Sequence, residues 1–171
     1  MTCQALVVID IQNDYFAEGA FPLWNAEPTL AGALAAIRQA RAQEMPVIFV
    51  QHLARAAAPF FNPGTWGAQL HEAVQREVGD SPVITKHHAD AFHETALHET
   101  MQQLGVSELL LCGMMTQNCV THTALSRSAD LYAKVTVLTD ACTTVTEMLH
   151  RIALSALSTR VGLATVAARF E

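Results

Sequence analysis

"LLLCGMMTQNCVTHTAL", residues 109–125, carries an apolar run through a glycine turn into a helical pattern. Three leucines and a cysteine stand together without polar alternation, as in a strand buried on both faces. Gly113 breaks the run, "MMTQN" makes the turn, and Cys119 falls in the first turn of the predicted helix. A buried strand that delivers its chain into a helix is half of a βαβ unit.

The same alternation extends outward in both directions. Candidate strands are 5–10 (ALVVID), 46–51 (PVIFVQ), 82–86 (PVITK), 107–112 (SELLLC), 134–139 (KVTVLT) and 163–167 (LATVA). Helical patterns fall at 28–43, 68–77, 94–104, 117–131 and 146–159, the first with Leu30, Leu34 and Ile37 at helical spacing. This order implies an α/β fold in which a parallel sheet is covered on both sides. With 171 residues and no repeat or linker, residues 1–171 read as a single domain.

Composition narrows the function. The chain is 51% hydrophobic and 15% charged, so it can bury a core. A formal charge of −6 disfavours nucleic-acid binding, which needs clustered Lys and Arg. No run approaches a membrane span, and "ALVVID" begins too early for a signal peptide. Cys3, Cys112, Cys119 and Cys142 are scattered without a CxxC pair, which suits reduced thiols in the cytoplasm.

Ligands of parallel sheets bind beyond the carboxyl ends of the strands, where strand order reverses. Three such ends carry reactive side chains. Asp10 closes the first strand and must be capped, paired or used; a turn cap and a functional carboxylate are equally open readings. Lys86 closes "PVITK", where a lysine ordinarily reaches for water unless a carboxylate and a thiol hold it. Cys119 is either a small buried hydrophobe or a nucleophile. Helix N-terminal amides are expected to lower its pKa and could also receive an oxyanion.

Four segments, "ALVVIDIQNDYF", "VITKHHADAFHETAL", "LLLCGMMTQNCVTHTALSRSADL" and "VTVLTDACTT", follow one another in an order that resembles the isochorismatase-like cysteine hydrolases. That family includes nicotinamidases and N-carbamoylsarcosine amidohydrolase. The resemblance implies a doubly wound six-stranded parallel sheet in a Rossmann-like three-layer α/β/α sandwich, and a homodimer or homotetramer. It assigns Asp10 as catalytic aspartate, Lys86 as its lysine and Cys119 as nucleophile. It also implies a non-proline cis peptide between Met114 and Met115, with the Met115 and Cys119 amides forming the oxyanion hole.

Departures from relatives narrow the chemistry further. Nicotinamidases place an Asp-x-His pair after the second strand to hold a metal; here Gln51 and Leu53 occupy those positions. His52 is one position out of phase, so its side chain is expected to point away from that site. No metal and no other cofactor is expected. Isochorismate-cleaving members generally lack the cysteine, so its presence favours C–N hydrolysis of a small amide, ureide or carbamoyl compound over vinyl-ether cleavage. A thiol-redox protein pairing Cys119 with Cys112 or Cys142, and an inactive interaction module, are the rival classes. Phe16, Phe60, Trp66, His88 and Met114 are candidate pocket residues, with the aromatic segment 58–70 serving pocket, interface or both. His71 reads as a surface helix residue and Asp140 as a turn cap.

Overall fold

Six short apolar runs in one chain have a common solution: they lie side by side and share their burial. In a computed structural model that describes residues 3–171, they form one parallel sheet of order β3-β2-β1-β4-β5-β6. The strands are β1 (Gln4–Ile9), β2 (Val47–His52), β3 (Val83–Lys86), β4 (Glu108–Met114), β5 (Lys134–Thr143) and β6 (Gly162–Ala164). The helices are α1 (Ala26–Ala42), α2 (Glu72–Val78), α3 (Leu97–Gln103), α4 (Thr121–Ala124), α5 (Glu147–Leu157) and α6 (Val166–Phe170). Right-handed crossovers put helices on both faces, with α1 packing against α2 and α6 on one of them. Among the described residues no helix is long and apolar enough to cross a membrane.

The core is β1 and β4 with the helix that covers them. Ala5–Ile9 and Leu109–Cys112 are fully or almost fully buried. The buried stripe of α1 runs Leu30, Ala33, Ile37 and Ala40, with Leu34 only partly covered. Its small residues serve close approach. A Cβ on Gly32 would lie 2.7 Å from the Asp140 carbonyl oxygen, so α1 sits almost on the backbone of β5.

Three elements differ from the periodicity reading. Predicted helix 117–131 is a π-type turn (Thr116–Val120), the four-residue α4 and a 3-10 turn (Ala129–Leu131). Ser126 interrupts it: its hydroxyl donates to Asp90 Oδ2 at 2.7 Å and accepts from Ser128 N, competing with helical bonds. The last predicted strand is shortened to three residues and followed by α6, which Thr165 caps by accepting from Ala168 N. Asp140 lies inside a longer β5 and caps α6 from a distance, accepting from Val166 N at 2.8 Å.

Strand order reverses between β1 and β4, the crevice where such sheets bind ligands. Gly113 closes it. It pairs with Ile9 at φ +125°, and a Cβ there would lie 2.0 Å from the Ile9 carbonyl oxygen. Only glycine lets the two strand ends meet. Gly113→Ala is expected to destabilise the fold by about 2–4 kcal/mol through strain and overpacking. An unchanged urea midpoint would show that the strand ends open freely.

Candidate active site

Asp10 follows β1 directly. It adopts φ +51°, a left-handed conformation that aspartate tolerates better than most residues, with its own N–H donating to the Val50 carbonyl oxygen. This turn ends the strand and tips the carboxylate into the crevice. Lys86 ends β3, two strands away, and reaches across the end of β2. Its Nζ lies 2.7 Å from Asp10 Oδ2, and both side chains are completely buried. Cys119, 3% exposed, follows β4 on the π-type turn and places Sγ 3.2 Å from Lys86 Nζ. The Met114–Met115 peptide bond that opens this turn is cis.

Two further groups hold the lysine. His52, the β2 residue in register with Lys86, sets Nδ1 2.8 Å from Nζ, and the His88 carbonyl oxygen accepts at 3.0 Å. His52 therefore points into the crevice, contrary to the expectation from its phase. In the parallel ladder His52 is the register partner of Lys86, so the two side chains share one side of the sheet; Gln12 holds the strand end, its Oε1 accepting from His52 N and its Nε2 donating to the His52 and Ala68 carbonyls.

Burial sets the protonation states. It raises the Cys119 thiol to about 12, with help from Asp10 and against the pull of Lys86. The expected lowering by a helix N-terminus is overridden, because the turn leads into only four α-helical residues and the thiol has almost no water around it. For Lys86 burial is the largest single influence and pulls downward, yet Asp10 and Cys119 together hold the ammonium above its ordinary value. His52 is lowered to about 4 by burial and then by Lys86, with a smaller opposing effect of Asp10. At neutral pH Lys86 is thus an ammonium, Cys119 a thiol and His52 a neutral imidazole.

A carboxylate oxygen of Asp10, a ring nitrogen of His52 and the sulfur of Cys119 lie within 4.8 Å of one another, a spacing that could suit a metal. The lysine ammonium already bonds to all three, and a cation would have to displace it. Nor do the residues at the nicotinamidase metal positions fit: Leu53 carries no ligand atom, and the Gln51 amide donates to the Ala68 carbonyl. A second group, His88, His93 and Glu94, lies nearer the surface, where Arg55 and His88 are already paired with the Glu94 carboxylate.

The candidate pocket residues are dispersed. Phe60 belongs to an aromatic wall with Phe21, Phe61 and Tyr15, whose phenol is raised by burial and then by the nearby Cys119 and Asp10. Phe16 stacks on His71 at 4.3 Å, and Met114 is wholly buried at the end of β4. Trp66 is 51% exposed and lines a separate cleft with Asn13, Gln51 and His71. His88 meets the lysine through its backbone, while its ring faces Glu94. His71 is only partly exposed; its Nδ1 accepts from Ala73 N and caps α2. Sequence reasoning missed Gln12 and Asp14. Asp14 accepts from Phe61 N and Ala20 N, tying the aromatic loop to the loop after β1, and a Cβ on Gly67 would collide with it. Their signal was a row of polar side chains, "DIQND", directly after a buried strand.

The six-stranded parallel sheet of order β3-β2-β1-β4-β5-β6 is the α/β fold of the isochorismatase-like class. A family model described as "Isochorismatase domain" matches residues 4–168, and the chain belongs to that family. It is 41% identical over 143 residues to the uncharacterized isochorismatase family protein YddQ of Bacillus subtilis, covering 83% of this chain and 78% of the other. It is 29% identical to the ureidoacrylate amidohydrolase RutB of Methylobacterium radiotolerans, covering 97% and 77%. A crystal structure described as a putative isochorismatase hydrolase, from Oleispira antarctica, superposes with a TM-score of 0.89 at 31% identity, covering 99% and 96%.

The raised thiol has a direct readout. Cys119, followed by mass spectrometry against Cys119→Ala, is expected to react slowly with iodoacetamide at pH 7. Its rate should keep climbing beyond pH 9, the ordinary thiol value, towards about 12. A plateau near neutrality would reveal a resting thiolate and contradict burial as the dominant influence.

Proposed function

We propose that the protein is a cofactor-independent cysteine amidohydrolase acting on a small amide, ureide or carbamoyl compound. The observation that carries this reading is the convergence of Asp10, Lys86 and Cys119 in one buried cluster at the switch point of the sheet. The amidohydrolase among its relatives supports the same reaction class.

Neither Asp10 carboxylate oxygen makes a hydrogen bond within the described chain, and only Oδ2 is engaged, by its ion pair with Lys86, so the carboxylate has room to take up a proton. As the substrate carbonyl meets Cys119, Asp10 takes the thiol proton and the sulfur forms a C–S bond. The carbonyl π electrons move onto oxygen, where the Met115 and Cys119 amides stabilise them; a single such donor is worth about 10²–10³ in rate. Collapse breaks the C–N bond, and Asp10 gives its proton to the leaving nitrogen. Water then attacks the thioester, Asp10 receives its proton, and the acid departs as the thiol is restored. Lys86 holds the carboxylate in place before attack and stabilises the anionic sulfur during it.

Two features bear on specificity. The side chains at positions 51 and 53 argue against a metal-held pyridine ring as substrate, and hence against nicotinamide. The cysteine itself argues for carbonyl chemistry over vinyl-ether cleavage.

A coupled ammonia-release screen over small amides, ureas and carbamoyl compounds tests the proposal, with pyruvate release from isochorismate run alongside. Activity is expected on at least one C–N substrate and is expected to fall by at least about 10³-fold in Cys119→Ala. Undiminished ammonia release by the alanine variant, or pyruvate release without ammonia release, would overturn it.

A further inference from the structure

The lysine ammonium has three hydrogens and four neighbours: Asp10 Oδ2 at 2.7 Å, His52 Nδ1 at 2.8 Å, the His88 carbonyl oxygen at 3.0 Å and Cys119 Sγ at 3.2 Å. A neutral thiol is the weakest acceptor of the four. In the resting cluster the hydrogen bonds nevertheless run to His52, the His88 carbonyl and Cys119, while Asp10 Oδ2 is held at 2.7 Å by the charge of the ammonium. When the thiol proton moves to Asp10, negative charge leaves the carboxylate and appears on sulfur. The charge that the ammonium balances then passes from oxygen to sulfur, while Nζ must stay in place to serve both. The two acceptors whose charge does not change, His52 Nδ1 and the His88 carbonyl, are the ones able to hold it.

We infer that His52 is a positioning residue: its imidazole, with the proton on Nε2, accepts at Nδ1 from Lys86 and pins the ammonium between Asp10 and Cys119 as the negative charge moves from one to the other. The inference rests on the reaction proposed above. Geometry supports it in three ways. Lys86 must cross the end of β2 to reach Asp10, and His52 is the β2 residue in register with it. Gln12 clamps the His52 backbone from both its N–H and its carbonyl, so the ring is aimed from a fixed base. The acceptor role also requires a neutral ring, and burial with Lys86 lowers His52 to about 4. The charged and titratable groups facing it are Lys86 from β3, Asp10 from the turn after β1, and His87 and His88 from the loop after β3.

Asparagine places its side-chain oxygen where histidine places Nδ1, and leucine has nearly the same shape without an acceptor. His52→Asn is therefore expected to retain most of kcat. His52→Leu is expected to lose about 10- to 100-fold in kcat with little change in KM, as for a misplaced catalytic group. Its alkaline limb should shift about one unit towards lower pH, because the ammonium has lost an acceptor. Nitrogen-15 NMR of the wild-type imidazole needs no substrate: His52 should carry its proton on Nε2 throughout pH 5–9. A wild-type pH profile in folded His52→Leu, an equal loss in His52→Asn, or a proton on Nδ1 would each overturn the assignment. If His52→Leu fails to fold, the NMR measurement decides. Failure of the ammonia screen would sink the proposed reaction and leave that NMR result standing on its own.

Discussion

The ion pair between Asp10 and Lys86, both wholly removed from water, is the constraint around which the rest of this structure is arranged. Placing two charges in such a position costs several kcal/mol for each ion, and their attraction offsets this only where further polar partners are present. Those partners come from three separate places in the chain: β2, through His52 and the Val50 carbonyl that orients Asp10; the His88 carbonyl after β3; and Cys119 after β4. Each loop around the crevice delivers one of them. The stability cost and the chemical use of the cluster have the same origin, because the low dielectric that penalises an isolated charge also strengthens each interaction within the site.

The supporting architecture is correspondingly tight. Ile9 and Gly113 meet at a distance that excludes even a methyl group, bringing the end of β1 against the turn that bears the cysteine. Gln12 locks the end of β2, and Asp14 binds the aromatic loop beside Tyr15. These are buried polar side chains satisfied by backbone groups, an arrangement that fixes loops which would otherwise be free to move. A site built this way has little scope to adjust its reacting groups after binding.

Protonation follows from the same burial. A thiol with almost no access to water stays protonated even beside an ammonium, since the neighbouring carboxylate and the lost hydration both oppose a second anion. In the reaction proposed for this site, the thiol is latent in the free protein and the adjacent carboxylate generates the nucleophile in place. The neutral imidazole is a consequence of the same surroundings, because a ring beside a buried ammonium cannot readily accept a positive charge.

Much of this was legible along the chain. Apolar runs alternating with helical patterns determined the parallel α/β class, and strand-end positions singled out Asp10, Lys86 and Cys119, because periodicity and termini are local properties. Resemblance across four segments pointed to the same family. What the chain alone did not carry was adjacency. Lys86 meets Asp10 only because β2 lies between their strands and β4 lies on the far side of β1, and strand order is a property of the assembled sheet. The inward aim of His52 follows from its register with Lys86, and its backbone is held by Gln12, forty positions away in the chain. The state of the thiol was misread for a related reason: a helix terminus is visible in sequence, whereas the number of water molecules a folded crevice excludes is decided only when every loop has closed around it.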